Sequence, residues 1–423
     1  MAGQRRGRFL LAVIDVGGTL PPNLGLAGEL VRRGHDVEVV GDPMTADSAR
    51  AAGCGFTAWS TAPRLDTVAD QTAMITDLES GGPLRQLRTA RDRVLLGPAG
   101  RFADDVVAAA RAHRVDAVLA DTLPGLLIGA QATGLPTAAL VANVYPRPTP
   151  GLPVMMSGWQ PGRGVVGRAR DAVARRAVRA VTDRIVPGVN AVLAAQELAP
   201  VRDLFELFDR CRAVLVMTSP SFDFPAPAIP ANVHFVGPHL GDPDWALGVD
   251  WRPPGDEPLA LVATSSIYQD QVGLLRRVAD ALGRLPVRGL ITTGRAVDPA
   301  EIPAPGNVRV VRAAPHRAVL AETAVALTHA GHGSVLKALA AGVPLVCMPM
   351  GRDQKDNTAR VLRLGAGVRV PQDASPERIA DAVREVLDDP AYGAAARRFA
   401  GTLAEEARTR PSAADRAEAL LLG

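Results

Sequence analysis

The most chemically loaded stretch of the chain is THAGHGSVLKALAAGVPLVCMPMGRDQKDNTARV (328–361). An apolar run, AVALTH, closes on His329, and a turn of small residues (330–333) leads to Ser334, which opens a helix. Small residues let an anion approach the backbone, and the free N–H groups and dipole at a helix N-terminus favour it. Ser334 adds a hydroxyl donor and His329 a ring N–H, so a diphosphate suits this turn. One helix–strand step later, GRDQ (351–354) falls at the carboxyl end of the next strand. There Asp353 and Gln354 can accept from and donate to sugar hydroxyls beside the diphosphate. A glycine-rich turn alone also serves plain packing, so the ordered string as a whole carries the weight. In the first half, Asp121 ends the run VDAVLAD (115–121) and Asp15 lies near the end of RFLLAVIDV (8–16). Both are candidate bases, and Asp15 also reads as a turn-capping carboxylate.

These residues need strand ends to hold them. RFLLAVIDV is an apolar run entering a Gly turn; a helix follows over about 22–33, and RGHDVEVVG carries a second strand. The rhythm returns with a helix near 101–113, the strand 115–121, a helix from Pro124 and the strand 136–142. Residues 146–165 are Pro- and Gly-rich loop, 60–100 is also expected as loop, and 166–197 as a long Arg-rich helical region. Seven arginines stand between Arg163 and Arg184 against two aspartates, which reads as a solvated helix face. AVLVMTSP (213–220) and VHFVGP (233–238) close the first half. After the polar 241–258 the pattern restarts: strands LALVAT, VRGLITTG, NVRVV, AVALTH and PLVCMP, and helices near 271–283, 333–341, 354–364 and 375–387. The fold class is therefore α/β with two doubly wound, Rossmann-like domains facing a cleft, where ligands bind at the carboxyl ends of the strands. The expected domains are 1–240, a linker at 241–258, a second domain at 259–405, and a C-terminal helix at 406–423 that packs back on the first.

Composition narrows the function classes. A chain of 423 residues suits two domains, and 47% hydrophobic content with unbroken apolar runs suits buried parallel sheets. Aromatics at 4% and a net charge of +3 spread along the chain argue against nucleic acid as partner. Cys54, Cys211 and Cys347 form no CxxC pair, so neither a zinc site nor a disulfide framework is indicated and a cytoplasmic setting is expected. The N-terminus mimics a signal peptide but reads better as a first strand. No stretch approaches the ~18 consecutive apolar residues of a spanning helix, and membrane contact is not expected.

The whole string resembles the C-terminal signature of family 1 glycosyltransferases, THxGxG(S/T), then GVP, then DQ. It is most similar to actinobacterial enzymes acting on macrolides, aromatic polyketides and related natural products. ATSSIYQDQ (263–271), LPVRGLITTGR (285–295), VRAAPH (311–316), RGHDV (33–37) and LADTLPGLLIGAQATGLPTAAL (119–140) extend the resemblance along the chain. It implies the GT-B fold, an inverting and metal-independent sugar transfer, and no cofactor beyond a TDP- or UDP-linked sugar as co-substrate. Ser265 or Ser266, His329, Gly331, Gly333 and Ser334 would hold the diphosphate. Gly294, Arg295 and His316 would line the nucleoside, and Asp353 and Gln354 would touch the sugar. His332 falls at a variable position and its role is open. The partners implied are the nucleotide sugar and a hydrophobic small-molecule aglycone, with a homodimer as one assembly the sequence allows.

Two departures stand out. Lys337 occupies the place where many plant members carry a ribose-binding Glu, and a cation cannot accept those hydrogen bonds. The ribose is then held otherwise, or a deoxyribose nucleotide is preferred. Thr19, within GGTLPP, occupies the slot of the family's catalytic His, and Thr is a poor general base. Either Asp121 is the base, with Asp15 as a second candidate, or the acceptor is acidic enough to need little help, as in carbon glycosylation, or the protein is an impaired auxiliary member. A sugar-nucleotide epimerase is a further alternative. A Rossmann oxidoreductase is disfavoured because GGTLPP does not complete GxGxxG.

Overall fold

The computed structural model describes residues 6–15, 18–226, 228–242, 246, 249–265, 267 and 269–422. The first half supplies strands β1 (Arg8–Ala12), β2 (Asp36–Gly41), β3 (Gly55–Ala58), β4 (Ala117–Asp121), β5 (Thr137–Val141), β6 (Ala213–Val216) and β7 (Val233–Phe235). The second supplies β8 (Leu259–Ala263), β9 (Arg288–Thr292), β10 (Val308–Val311), β11 (Thr323–Thr328), β12 (Leu345–Cys347) and β13 (Gly367–Arg369). They form two sheets, in the orders β3-β2-β1-β4-β5-β6-β7 and β10-β9-β8-β11-β12-β13. Every neighbouring pair in both is parallel.

The apolar runs become strands because both sheet faces are covered. Leu10, Ala12, Val118 and Ala120 enter one core layer, while Phe9, Leu11, Ala117 and Leu119 enter the layer on the other face. Leu259 and Leu261 separate from Ala260 and Val262 in the same way. This is the two-residue alternation of a strand buried on both sides.

Strand order reverses between β1 and β4, and again between β8 and β11. In open parallel sheets such switch points leave a crevice at the carboxyl edge, because the connections leave to opposite faces. The carboxyl ends of these four strands, or the loops after them, carry Asp15 and Thr19, Asp121, Ser265, and His329. The two crevices face each other.

The helix Gln354–Leu364 joins the two halves. Arg360, on this helix, pairs with Asp223 through Nη2 at 2.5 Å and Nε at 3.0 Å, both side chains buried. Arg363 donates to the carbonyls of Ser221, Phe222 and Asp223 at 2.8, 3.1 and 3.1 Å. At the C-terminus, Ala414, Ala417 and Leu420 enter the core of the first sheet. Arg33 bridges Asp415 at 2.7 Å and Glu418 at 3.1 Å, and His35 contacts Glu418 at 3.0 Å.

Three segments differ from the sequence expectation. The stretch 60–100 is not loop: it holds helices Val68–Glu79 and Pro83–Ala90. The Thr67–Asp70 capping box that starts the first of them was the available signal. The Arg-rich region splits into Gly164–Asp183 and Val186–Ala195, with Pro187 near the start of the second helix. Strands β3 and β13 are short sheet edges, partly exposed and each containing Gly, so they lack an apolar run to betray them. No helix is long and apolar enough to cross a membrane among the described residues.

Candidate active site

A cleft of about 400 Å³ lies between the two carboxyl edges. That size suits a small-molecule site. Of the residues anticipated from the sequence, Thr19, Ser265, Gly294, His316, His329, Gly331, His332, Gly333, Ser334, Asp353 and Gln354 line it. Ser266 lies outside the described residues. Asp121 is buried just behind the lining, and Asp15 and Arg295 are not in it. Arg295 is an exposed residue of the turn after β9, next to the lining Gly294. A larger hollow of about 560 Å³, around Arg8, His35, Glu38 and His113, opens at the opposite, amino-terminal end of β1 and β2. None of the anticipated site residues lines it, so it is not the candidate site.

On the second-domain wall, β11 ends at Thr328, and Ala330 takes a left-handed φ of +67° before the helix His332–Ala340 begins. A non-glycine residue in that region marks a conformation the surroundings enforce. The helix N-terminus, with Gly331 as its cap, faces the cleft, and no side chain caps it. Its free N–H groups are therefore available to an anion. The His329 ring is buried beside it, and burial drives its pKa down to about 4 despite the Asp353 charge. The carbonyl of Ala263 accepts from this ring. Thr264, next in the chain, lines the cleft with a buried Oγ1 that has no hydrogen-bond partner. The sequence reading passed over Thr264 in favour of its serine neighbours. The Ser265 hydroxyl accepts from the Ile267 N–H at 3.3 Å and keeps its own proton to donate.

A side chain at Gly331 would displace the His329 ring, since an added Cβ would fall 2.4 Å from Nε2. Gly331→Ala is expected to cut turnover about tenfold or more with little change in melting temperature. Steady-state rates and a thermal melt check this, and an unchanged rate would refute the need for that close approach.

Elsewhere along this wall, His316 Nε2 lies 3.1 Å from Thr292 Oγ1, which donates onward to the Val262 carbonyl at 3.1 Å. The ring therefore donates through Nε2. Burial and the nearby Lys337 charge lower its pKa to about 4. Lys337 itself pairs with Asp242 Oδ1 at 2.9 Å, and Asp242 Oδ2 accepts from the Arg317 N–H at 2.8 Å. Nearer the other lip, Gln354 is buried and heavily used. Its Oε1 accepts from the N–H groups of Met350 and Gly351 at 2.7 and 3.0 Å, and its Nε2 donates to Gln269 at 2.9 Å. Asp353 Oδ2 accepts from Asn357 at 2.7 Å and, across the cleft, from Asn143 at 2.9 Å. His332 Nε2 lies 3.4 Å from the Met217 carbonyl of the first domain.

On the first-domain wall, Asp121 ends β4 with both carboxylate oxygens hydrogen-bonded. Oδ1 accepts from the Thr122 N–H at 2.6 Å and Oδ2 from Asn23 at 3.2 Å. Burial raises its pKa to about 6, the Thr122, Thr19 and Asn23 contacts offsetting part of the rise. The Thr19 hydroxyl stands beside it without a hydrogen bond of standard geometry and faces the cleft. Asp15 is half-buried; its backbone N–H donates to Asp42 at 3.3 Å and its carbonyl accepts from Gln71 at 2.9 Å. No group of three or more His, Cys, Asp or Glu side chains is arranged to hold a metal ion among the described residues.

Two Rossmann-like domains facing each other over such a cleft make the GT-B fold. The crystal structure of the glycotransferase of kitacinnamycin superposes over 99% of both chains with a TM-score of 0.75 at 24% identity. That of the glycosyltransferase VinC in complex with dTDP does so over 98% of both at 0.64 and 21%. Residues 276–421 match the family described as erythromycin biosynthesis protein CIII-like, C-terminal domain. The 4'-demethylrebeccamycin synthase of Lentzea aerocolonigenes is 28% identical over 421 residues, covering 96% of this chain and 97% of that protein. The chain is a glycosyltransferase of the natural-product type.

Proposed function

We propose that this enzyme transfers a sugar or deoxysugar, with inversion, from a TDP- or UDP-linked donor to a hydrophobic small-molecule acceptor, through oxygen or carbon. The observation that carries this reading is the opposition of two chemistries across one cleft. An uncapped helix N-terminus with His329 and Ser334 faces Thr19, behind which lies the Asp121 carboxylate. The diphosphate sits against the N-terminus and takes hydrogen bonds from Ser334 and Thr264. Asp353 accepts from the sugar. The acceptor attacks the anomeric carbon from the side of the first domain, opposite the leaving diphosphate, so a bond forms there as the bond to phosphate oxygen breaks. The acceptor's proton passes to Asp121, directly or through a water beside Thr19. Charge growing on the diphosphate is met by donors already in place.

Fixing Lys337 against Asp242 leaves both carboxylate oxygens of Asp242 engaged, which favours a nucleotide that brings one hydroxyl fewer. A thymidine nucleotide fits this preference, and the dTDP carried by the VinC crystal structure is in keeping with it. Competition binding should therefore rank thymidine diphosphate at or above uridine diphosphate; uridine diphosphate binding much more tightly would count against it. The transfer itself is tested by mass spectrometry of reactions holding TDP- and UDP-sugars with phenolic and polyketide acceptors. A sugar-mass adduct is expected. Nucleotide binding without any adduct, together with stimulation of another glycosyltransferase, would favour the auxiliary reading raised by Thr19.

A further inference from the structure

Asn143 was not singled out by any motif. It follows β5 in the first domain, yet its Nδ2 donates across the cleft to Asp353 Oδ2 at 2.9 Å. Its Oδ1 accepts from the Val144 N–H at 3.0 Å, which fixes the amide so that nitrogen faces the carboxylate. Asn357, fully buried, gives the same Oδ2 a second donor at 2.7 Å and also donates to the Ala330 carbonyl at 3.0 Å. Asp353 Oδ1 accepts no hydrogen bond from the described residues, and Asp353 and Asn143 both line the cleft. One oxygen is thus pinned by an amide from each domain while the other is left for a ligand.

We propose that Asn143 is a positioning residue for the transferred sugar, supplied by the acceptor domain. This rests on the reading of Asp353 as a sugar contact. Asp353 is held at its working angle only when β5 of the first domain and the helix Gln354–Leu364 of the second stand at this spacing. Sugar recognition is thereby tied to closure of the cleft, and the nucleotide portion, bound at the His332–Ala340 helix, is not. Two charge-assisted hydrogen bonds on one carboxylate oxygen are strong enough that losing one is felt in binding.

The test compares TDP and TDP-glucose binding by titration calorimetry for wild type, Asn143→Ala and Asn143→Asp, with thermal melts alongside. Asn143→Ala should weaken TDP-glucose about tenfold and leave TDP within about twofold. Asn143→Asp should weaken TDP-glucose further, because it sets two carboxylates against each other. In turnover, the donor KM should rise and the acceptor KM should not. Equal TDP-glucose affinity in wild type and Asn143→Ala would overturn the proposal, as would Asp proving milder than Ala. Parallel weakening of TDP and TDP-glucose would make the residue merely structural. If wild type binds neither TDP nor UDP, the donor reading falls first and this inference with it; if it binds them and the variants are unaffected, only Asn143 is lost.

Discussion

Replacing His329 with alanine should lower turnover by ~10²-fold or more, with the fold intact. The ring is packed at the end of β11, beside the uncapped helix N-terminus that suits a diphosphate. Burial keeps it neutral, with a pKa lowered to about 4, and the Ala263 carbonyl occupies one N–H. The remaining nitrogen of a neutral ring is an acceptor and cannot donate to phosphate. A diphosphate against the ring reverses the balance, since a neighbouring negative charge favours the protonated form. The same charge increases as the glycosidic bond breaks, so a protonated His329 stabilises the departing group more than the bound donor. Two measurements check this. Single-turnover rates of His329→Ala should fall while TDP affinity falls much less. Nucleotide binding near neutral pH should take up a proton in wild type, visible as a buffer-dependent heat, and not in the variant. An unaffected rate would remove His329 from catalysis.

Asp121→Asn should lower kcat/KM by about 10²- to 10⁴-fold for an alcohol acceptor. With a folded pKa of about 6, the carboxylate is ionised and able to take a proton above that pH. Wild-type kcat/KM should therefore decline as pH falls through about 6, and the residual activity of the variant should lack that limb. The stability sign runs the other way. A folded pKa raised above the unfolded value means that the neutral acid is favoured in the fold; this contribution is present below about 4 and lost as pH rises through about 6. At pH 7.5 the ionised, buried carboxylate destabilises the fold, so Asp121→Asn should melt no lower than wild type. Lost activity would then report chemistry and not unfolding. An adduct that survives the substitution would shift the base to Asp15 or place the burden on acceptor acidity.

Much of this site is legible in the sequence. His329, the small residues 330–333, Ser334 and the Asp353–Gln354 pair follow one another at spacings fixed by one strand–turn–helix and one further step, so local geometry alone delivers them to the same edge. Asp121 was legible for the same reason, as the polar end of an apolar run. Gln354 marks the limit of that reasoning: its motif position was clear, but its oxygen is taken by Met350 and Gly351 and one N–H by Gln269, which leaves a single N–H. Arg295 was placed by its neighbours in sequence; it is exposed in the turn after β9 and does not itself line the cleft.

The sequence by itself determined the two parallel sheets, through apolar runs that only two-sided burial can satisfy, and the strand–turn–helix at 328–334, through glycine and helix-start chemistry contained within a few residues. Only the tertiary structure decided what crosses the cleft. Asn143 and Asp353 lie 210 residues apart, and Arg360 and Asp223 lie 137 apart. No local pattern announces such pairs, because each partner is an ordinary loop or helix polar group until the other domain arrives opposite it. The pKa of Asp121 is decided at the same level: its rise to about 6 comes from burial beneath Thr19 and Asn23, a property of the packed switch point and not of the chain around it.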